Sequence, residues 1–431
     1  MNVRILWVAV AGVMAQHALA QEVGDQADIQ EVTQSGYEDL AQFGGPESVT
    51  AELKRNDAER EAIYQFDGLQ RNLAPYFDWK RRQQDENGFA MGFQYYMLYQ
   101  KASDSLPGED DDALGGIFRF QGSWTLFKRD SGNLGRIDYR VESRSNIGGF
   151  SAPGSLGGRT GVAALAPGFA YSDNFDTDIP VLNWTQIFAD GRFGYAVGRL
   201  AFDVYLDAFP FQTFSRGFLN RSFILNPAVP TTGIGAIGGV VKGFVSDNFW
   251  VGAQMHDANA ASGDFDWDTL DEGEWLKAVE VGYTPSFGQR NSHRIQFTYW
   301  QKDARELAGT PKGHGWAVSA AWQLNDALFP FVRFGHSDGG GGVAAEDALS
   351  AGLEIKRRFD QVWTLGAGWA KPSEQTFGPG LDYESVIETS YKFQLSKNFS
   401  LTPDFQVIFN PATNPDESSI WVLGVRAILT L

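Results

Sequence analysis

The chain has no cysteine in 431 residues and only five histidines. Without cysteine an exported fold has no disulfide to hold it, and a lipid anchor, which needs a cysteine behind an apolar leader, is excluded. So few histidines leave little for a metal centre, and neither a metal nor a cofactor is expected. Cations are in deficit too: 35 Lys and Arg face 53 Asp and Glu, a formal net charge of −18. Phosphates would be repelled, so nucleic acid is disfavoured as a partner. Beyond the first residues there is no apolar run of the roughly 20 residues that a membrane-spanning helix needs.

What is present begins with a leader. Arg4 supplies a positive start, "ILWVAVAGVM" an apolar stretch cut short by Gln16 and His17, and Ala18-Leu19-Ala20 a small-x-small site. Residues 1–20 read as a signal peptide cleaved after Ala20, with export across an inner membrane. The remainder is rich in glycine (49 residues) and in aromatics (14%), yet its mean hydropathy is −0.27. Aromatics and glycine without long apolar runs fit short alternating strands.

"RIDYRVESR" (136–144) shows the pattern. Arg136, Asp138, Arg140, Glu142 and Arg144 occupy alternate positions, with Ile137, Tyr139 and Val141 between them. A strand sends alternate side chains to opposite faces, so one face is a charged ladder and the other is apolar. The alternation recurs along most of the chain and predicts about sixteen strands. They fall near 89–100, 115–128, 135–146, 182–189, 192–200, 236–245, 249–256 and 275–283, then 293–302, 315–324, 328–336, 347–357, 361–370, 384–395, 399–410 and 419–431. Connections alternate between short turns ("ADG", "SDN", "NDA", "RFD", "SKN") and longer loops. Aromatics near both ends of the apolar faces, an even strand count and short-long alternation are the signature of an outer-membrane barrel. The fold class is therefore all-β, a transmembrane antiparallel β-barrel over 89–431 with lipid outside and a polar lumen. "LAPYFDWK" (73–80) would make a seventeenth strand starting on the wrong side and is left outside; eighteen strands is the alternative. Residues 21–88 form a separate N-terminal periplasmic segment, helical over about 46–73.

Function concentrates on two features. The loop at 201–235 carries six Phe, together with Arg216, Asn220 and Arg221. So apolar a loop needs a surface to pack on, and it is expected to fold inward and narrow the pore; an outer lid is the other reading. The inward-parity charges Arg119, Arg136, Asp138, Arg140, Glu142, Arg333, Glu354 and Glu388, with Lys356 and Lys392, imply a wet lumen charged in both signs. A sugar channel needs such groups for charge-assisted hydrogen bonds to hydroxyls and aromatic faces for pyranose C–H surfaces. "EDDD" (109–112) and "DFDWDTLDEGE" (264–274) read as solvated acid; the second lacks the Gly and Glu of a calcium loop. Bridging divalent cations to lipopolysaccharide is the alternative.

The stretch "ETSYKFQLSKNFSLTPDFQVIFNPATNPDES…VLGVRAIL" (388–429) resembles the last strands of the carbohydrate-selective porins of the OprB type. "DGRFGYAVGRL" (190–200), "FLNRSFILNPAVPTTGIGA" (218–236), "HDANA" (256–260), "PFVRFGHSDGG" (330–340) and "LGAGWAKPS" (365–373) resemble the middle of that pattern. The resemblance covers about 180–431 and implies a sixteen-stranded barrel passing sugars such as glucose by diffusion. A general porin, or one selective for cations, amino acids or carboxylates, is the alternative; an enzyme is not expected. Carbohydrate solutes, outer-membrane lipid and lipopolysaccharide are the expected partners. The parity assignment is directly testable. Tyr139→Asp puts a charge on the lipid face at a cost of up to a few kcal/mol depending on depth and should abolish heat-modifiable migration; normal assembly would reverse the inside-outside assignment.

Overall fold

The computed structural model describes residues 37, 40–58, 60–127, 133–168, 175–213, 215–231, 235–262 and 267–431. The expected signal peptide and its cleavage site lie outside the described residues.

Sixteen antiparallel strands close on themselves. They are β1 (Phe89–Ala102), β2 (Asp112–Phe127), β3 (Leu134–Asn146), β4 (Phe175–Phe188), β5 (Phe193–Leu200), β6 (Ala236–Phe244), β7 (Phe249–Asp257) and β8 (Trp275–Tyr283). The second half comprises β9 (His293–Lys302), β10 (Gly313–Trp322), β11 (Leu328–Ser337), β12 (Ala345–Lys356), β13 (Val362–Pro372), β14 (Glu384–Ser396), β15 (Phe399–Phe409) and β16 (Ser419–Thr430). The ring closes where β1 pairs with β16, Gln94 opposite Thr430. Phe93 and Leu431 exchange two backbone hydrogen bonds of 2.8 Å at the end of that seam. No strand edge is left open, as hydrocarbon requires. "LAPYFDWK" adds no strand, because it is helical.

Alternation sorts the faces as expected. Phe118, Val279 and Leu423 are 44, 53 and 49% exposed, whereas their neighbours Arg119, Glu280 and Val422 are 1, 3 and 0%. The wall turns its aromatic and aliphatic side chains outward. β4 begins seven residues before the expected 182. Its early part pairs with β3 through two register shifts, with Glu142 opposite Asp178 and Arg144 opposite Phe175. Bulges break the two-residue period, so "FDTDIPV" read as loop.

The helical stretch expected over 46–73 is two helices, α1 (Val49–Asp57) and α2 (Asp67–Asn87). Between them the chain runs extended along the wall, where Ile63 and Tyr64 donate to the carbonyls of Gln394 and Leu395. α2 stops at Gly88, whose φ of 70° lets its N–H reach back to the Gln83 and Gln84 carbonyls. Glycine adopts that left-handed geometry without a Cβ penalty, and β1 starts at the next residue. α1 is not on the outside of the wall. Val49 and Leu53 pack with Tyr37 and with Ala90 of β1, and Glu52 is fully buried among lumen-facing side chains. Lys80 of α2 holds the far end of α1 through Asp57 at 3.1 Å.

Candidate functional site in the barrel lumen

The charged ladder of β3 faces inward, but it faces protein. Arg119 of β2 bonds Glu142 at 2.9 Å and reaches Glu52 of α1 at 2.7 Å and Glu47 at 3.3 Å. Arg140 donates to Gln121 at 2.9 Å, to the Glu47 carbonyl at 2.8 Å and to Glu52 at 3.1 Å. Arg136 pairs with Asp138 at 3.0 Å and donates to the Ala41 carbonyl; Thr185 adds a bond to Asp138 at 2.9 Å. Burial and the Glu52 charge push the Glu47 carboxyl up to about 7. Burial works the same way on Glu52, but the guanidiniums of Arg119, Arg140 and Arg55 hold it down to about 2. The N-terminal segment thus supplies the counter-ions of this wall.

The loop at 201–235 fills the opposite side. Phe209, Phe211, Phe218 and Phe223 are at most 2% exposed and pack on Phe329 and Phe331 of β11, with Phe211 and Phe331 centroids 4.6 Å apart. The wall grips the loop backbone with charges. Glu388 accepts the N–H groups of Leu219 and Asn220 at 2.6 and 3.0 Å, and Arg426 donates to the carbonyls of Arg216, Gly217 and Phe218. Arg216 donates two hydrogen bonds to Glu354, one at 2.8 Å, with its guanidinium 5.0 Å from the Phe211 ring. Arg333 bonds Asp207 at 2.8 Å and lies over Phe209. A Cβ at Gly217 would come within 2.1 Å of Thr364 Cγ2, so only glycine allows this approach to β13. Asn220 caps the short helix α3 (Arg221–Ile224) and bonds the Leu165 carbonyl at 2.7 Å and Gln406 at 3.0 Å, tying the loop that follows β3 to the same cluster.

The inward fold of 201–235 is therefore observed, and the outer-lid reading is set aside. The wet lumen expected at the named charges is not. Arg119, Arg136, Asp138, Arg140, Glu142, Asn220, Arg333, Glu354 and Glu388 are each no more than 6% exposed and bonded to protein groups. Of the candidates, Arg216, a quarter exposed, Arg221 and Lys392 keep partial access to solvent. Lys356 is exposed at the end of β12. Arg426, Glu52 and Glu384, which accepts the N–H groups of Ala163, Ala164 and Leu165, were missed. Parity signalled Arg426, and it also places Phe329 and Phe331 on the face of Arg333, an aromatic lumen patch awaiting the loop.

Other constellations carry no chemistry. Glu109 and Asp110 pair with Arg159. Part of the acidic stretch at 264–274 lies outside the described residues; of the rest, Glu274 accepts from Asn259 and from the Glu306 N–H. Among the described residues no group of three His, Asp or Glu is placed to hold a metal ion. Gly335-His336-Ser337-Asp338-Gly339 has the spacing of a nucleophile elbow, but it leaves a strand for a loop rather than entering a helix. Its Ser337 hydroxyl donates to the Ala345 carbonyl, and its histidine pairs with Asp347.

Comparison with known proteins bears on both halves of the barrel. The pattern of the carbohydrate-selective porin, OprB family, matches residues 294–431. The chain is 24% identical over 322 residues to Porin AaxA of Chlamydia felis, covering 71% of this chain and 68% of that protein. It is 23% identical over 318 residues to Porin AaxA of Chlamydia abortus, covering 71% and 68%. The high-pH structure of Pseudomonas putida OprB superposes with a TM-score of 0.65 at 14% identity, over 86% of this chain and 99% of that one; at that identity the likeness is one of fold.

Two outcomes follow from the packing. Glu52→Ala leaves Arg140 without its buried counter-ion and takes one of three carboxylates from Arg119, a loss of about 3–5 kcal/mol, and should release α1. Trypsin should then cut at Lys54 and Arg55 while the barrel keeps its heat-modifiable migration; unchanged resistance would remove Glu52 as the anchor. Replacing 205–225 by a short Gly/Ser linker should raise single-channel conductance, and Arg426→Ala should do so to a smaller degree. If conductance is the same in both, the loop does not limit conduction.

Proposed function

We propose that this outer-membrane porin passes mono- and small oligosaccharides such as glucose by passive diffusion, with the loop at 201–235 as its selective element. The observation that carries the reading is the OprB-family pattern over 294–431, which coincides with β9–β16. That half of the wall holds the gripping residues Glu354, Glu388 and Arg426 and the aromatic seat Phe329 and Phe331. A lumen narrowed by a loop fixed at many points discriminates by size and by hydrogen bonding rather than passing all small solutes. Arg216 suits a sugar: its fork is oriented by Glu354 and its plane lies beside aromatic rings. Charge-assisted bonds to hydroxyls are about twice as strong as neutral ones.

The relatives are named only as porins, so a general porin is the competing reading. Planar-bilayer recordings with glucose and maltose separate the two. A selective constriction gives saturable block of the ion current at millimolar sugar. Arg216→Gln, which keeps a bond to Glu354, should raise the half-blocking glucose concentration roughly tenfold, the loss of one charge-assisted hydrogen bond of about 1.5 kcal/mol. Large steps that neither sugar alters would make this a general porin.

A further inference from the structure

At the short-turn end of the barrel a small cavity of about 50 Å³ opens between the N-terminal segment and the walls of β6, β7 and β9. The ionisable residues lining it are Arg192, Lys242, Arg290 and Arg294, with no carboxylate among them. In a chain with a net charge of −18 that is a strong local inversion.

The decisive residue is Arg294. It faces the lumen from β9, is 6% exposed, and lies with its guanidinium 5.0 Å from the Trp250 ring. Its Nε has no hydrogen-bond partner, and no carboxylate lies within 4.0 Å of it among the described residues. The two nearby acids are committed elsewhere. Glu280 already accepts from Lys242 at 3.1 Å, Trp250 Nε1 at 2.9 Å, Thr298 at 3.0 Å and the Asp207 N–H at 2.7 Å. Asp207 gives one oxygen, Oδ2, to Arg333 at 2.8 Å. At the mouth of the cavity Arg290 spends one arm on the Phe287 carbonyl at 2.6 Å and lies over that ring. A buried cation without a counter-ion is costly, and buried polar groups left without partners call for an unseen one.

We infer that this cavity is a binding site for a small organic oxyanion, a carboxylate or phosphate monoester, gripped by Arg294 and Arg290, with its carbon skeleton against Trp250 and Phe43. Arginine forks match both head groups in a bidentate manner. The site lies at the short-turn end, with Ala208 of the loop at 201–235 in its lining, so an occupant would sit on the inner side of the constriction, where solutes leave. Nothing in it depends on the carbohydrate reading of the constriction.

Calorimetric titration of the full-length, detergent-solubilised protein tests it, using gluconate and glucose 6-phosphate as probes and glucose as the neutral control. At low ionic strength at least one anion should bind saturably. Arg294→Gln and the more peripheral Arg290→Gln should each weaken that binding at least tenfold while keeping heat-modifiable migration. Whichever anion binds tells carboxylate from phosphate. No binding of either anion, equal binding by both variants, or glucose binding as tightly as gluconate would each overturn the site. Glucose block of the ion current is read separately, so the two proposals can fail independently.

Discussion

Every backbone N–H and C=O in the wall must be satisfied within the wall, because hydrocarbon offers no partner. The sixteen-membered ring of ladders meets that demand, with Phe93 and Leu431 completing the last pairing. Once the ladder is fixed, parity is fixed, and parity decides which side chains meet lipid and which meet the interior. Residue chemistry follows: Tyr139 and Leu423 lie outside, Arg140 and Arg426 inside. Such a ring encloses far more space than its own inward side chains can fill, and the rest of the molecule answers that excess.

It does so with two pieces of chain that are not wall. From the short-turn side the N-terminal segment brings Glu47 and, on α1, Glu52 to the arginines of β2 and β3. From the long-loop side 201–235 brings a phenylalanine cluster to β11 and offers its backbone to Glu388 and Arg426. The two fillers use different physics because their seats differ. The β2–β3 wall is a lattice of buried ions, where removing one member strands several others; the β10–β14 wall is an aromatic seat rimmed by charges. They also touch, since Gly45 donates to the Val204 carbonyl at 2.6 Å. The barrel interior is thus a packed core crossed by limited space, not a bare tube.

That distinction explains what the sequence could disclose. Strand positions and lumen parity were legible because they are local, written in a two-residue period and in turn residues. The inward fold of 201–235 was legible from its excess of Phe. The fate of the lumen charges was not, because their partners are distant: Glu52 lies 67 residues from Arg119, and Arg216 lies 138 from Glu354. No periodicity marks such pairs. Arg136 and Arg140 read as solvated pore charges only while the N-terminal segment was placed outside. The outer end of β4 escaped for a different reason, since two bulges erased its alternation.

Pairing also gives a rule for locating solute contacts in so crowded a barrel. A charged lumen residue whose bonds are all made to protein is a structural member, and its charge is hidden from a passing solute. Arg119, Glu142, Glu354 and Glu388 fall in that group. A group that keeps access, such as Arg216, or that is buried with bonds unmade, such as Arg294, still has interaction energy to give. The second group differs in kind from the first. Arg216 can be met in passing, because its orientation is already secured by Glu354. Arg294 is desolvated and unmatched, so whatever meets it is held more strongly, and for a diffusion channel strong holding slows exit. A weak contact at the constriction and a tighter one beyond it therefore impose opposite demands on flux, and assigning them to different residues, Arg216 and Arg294, lets one barrel contain both.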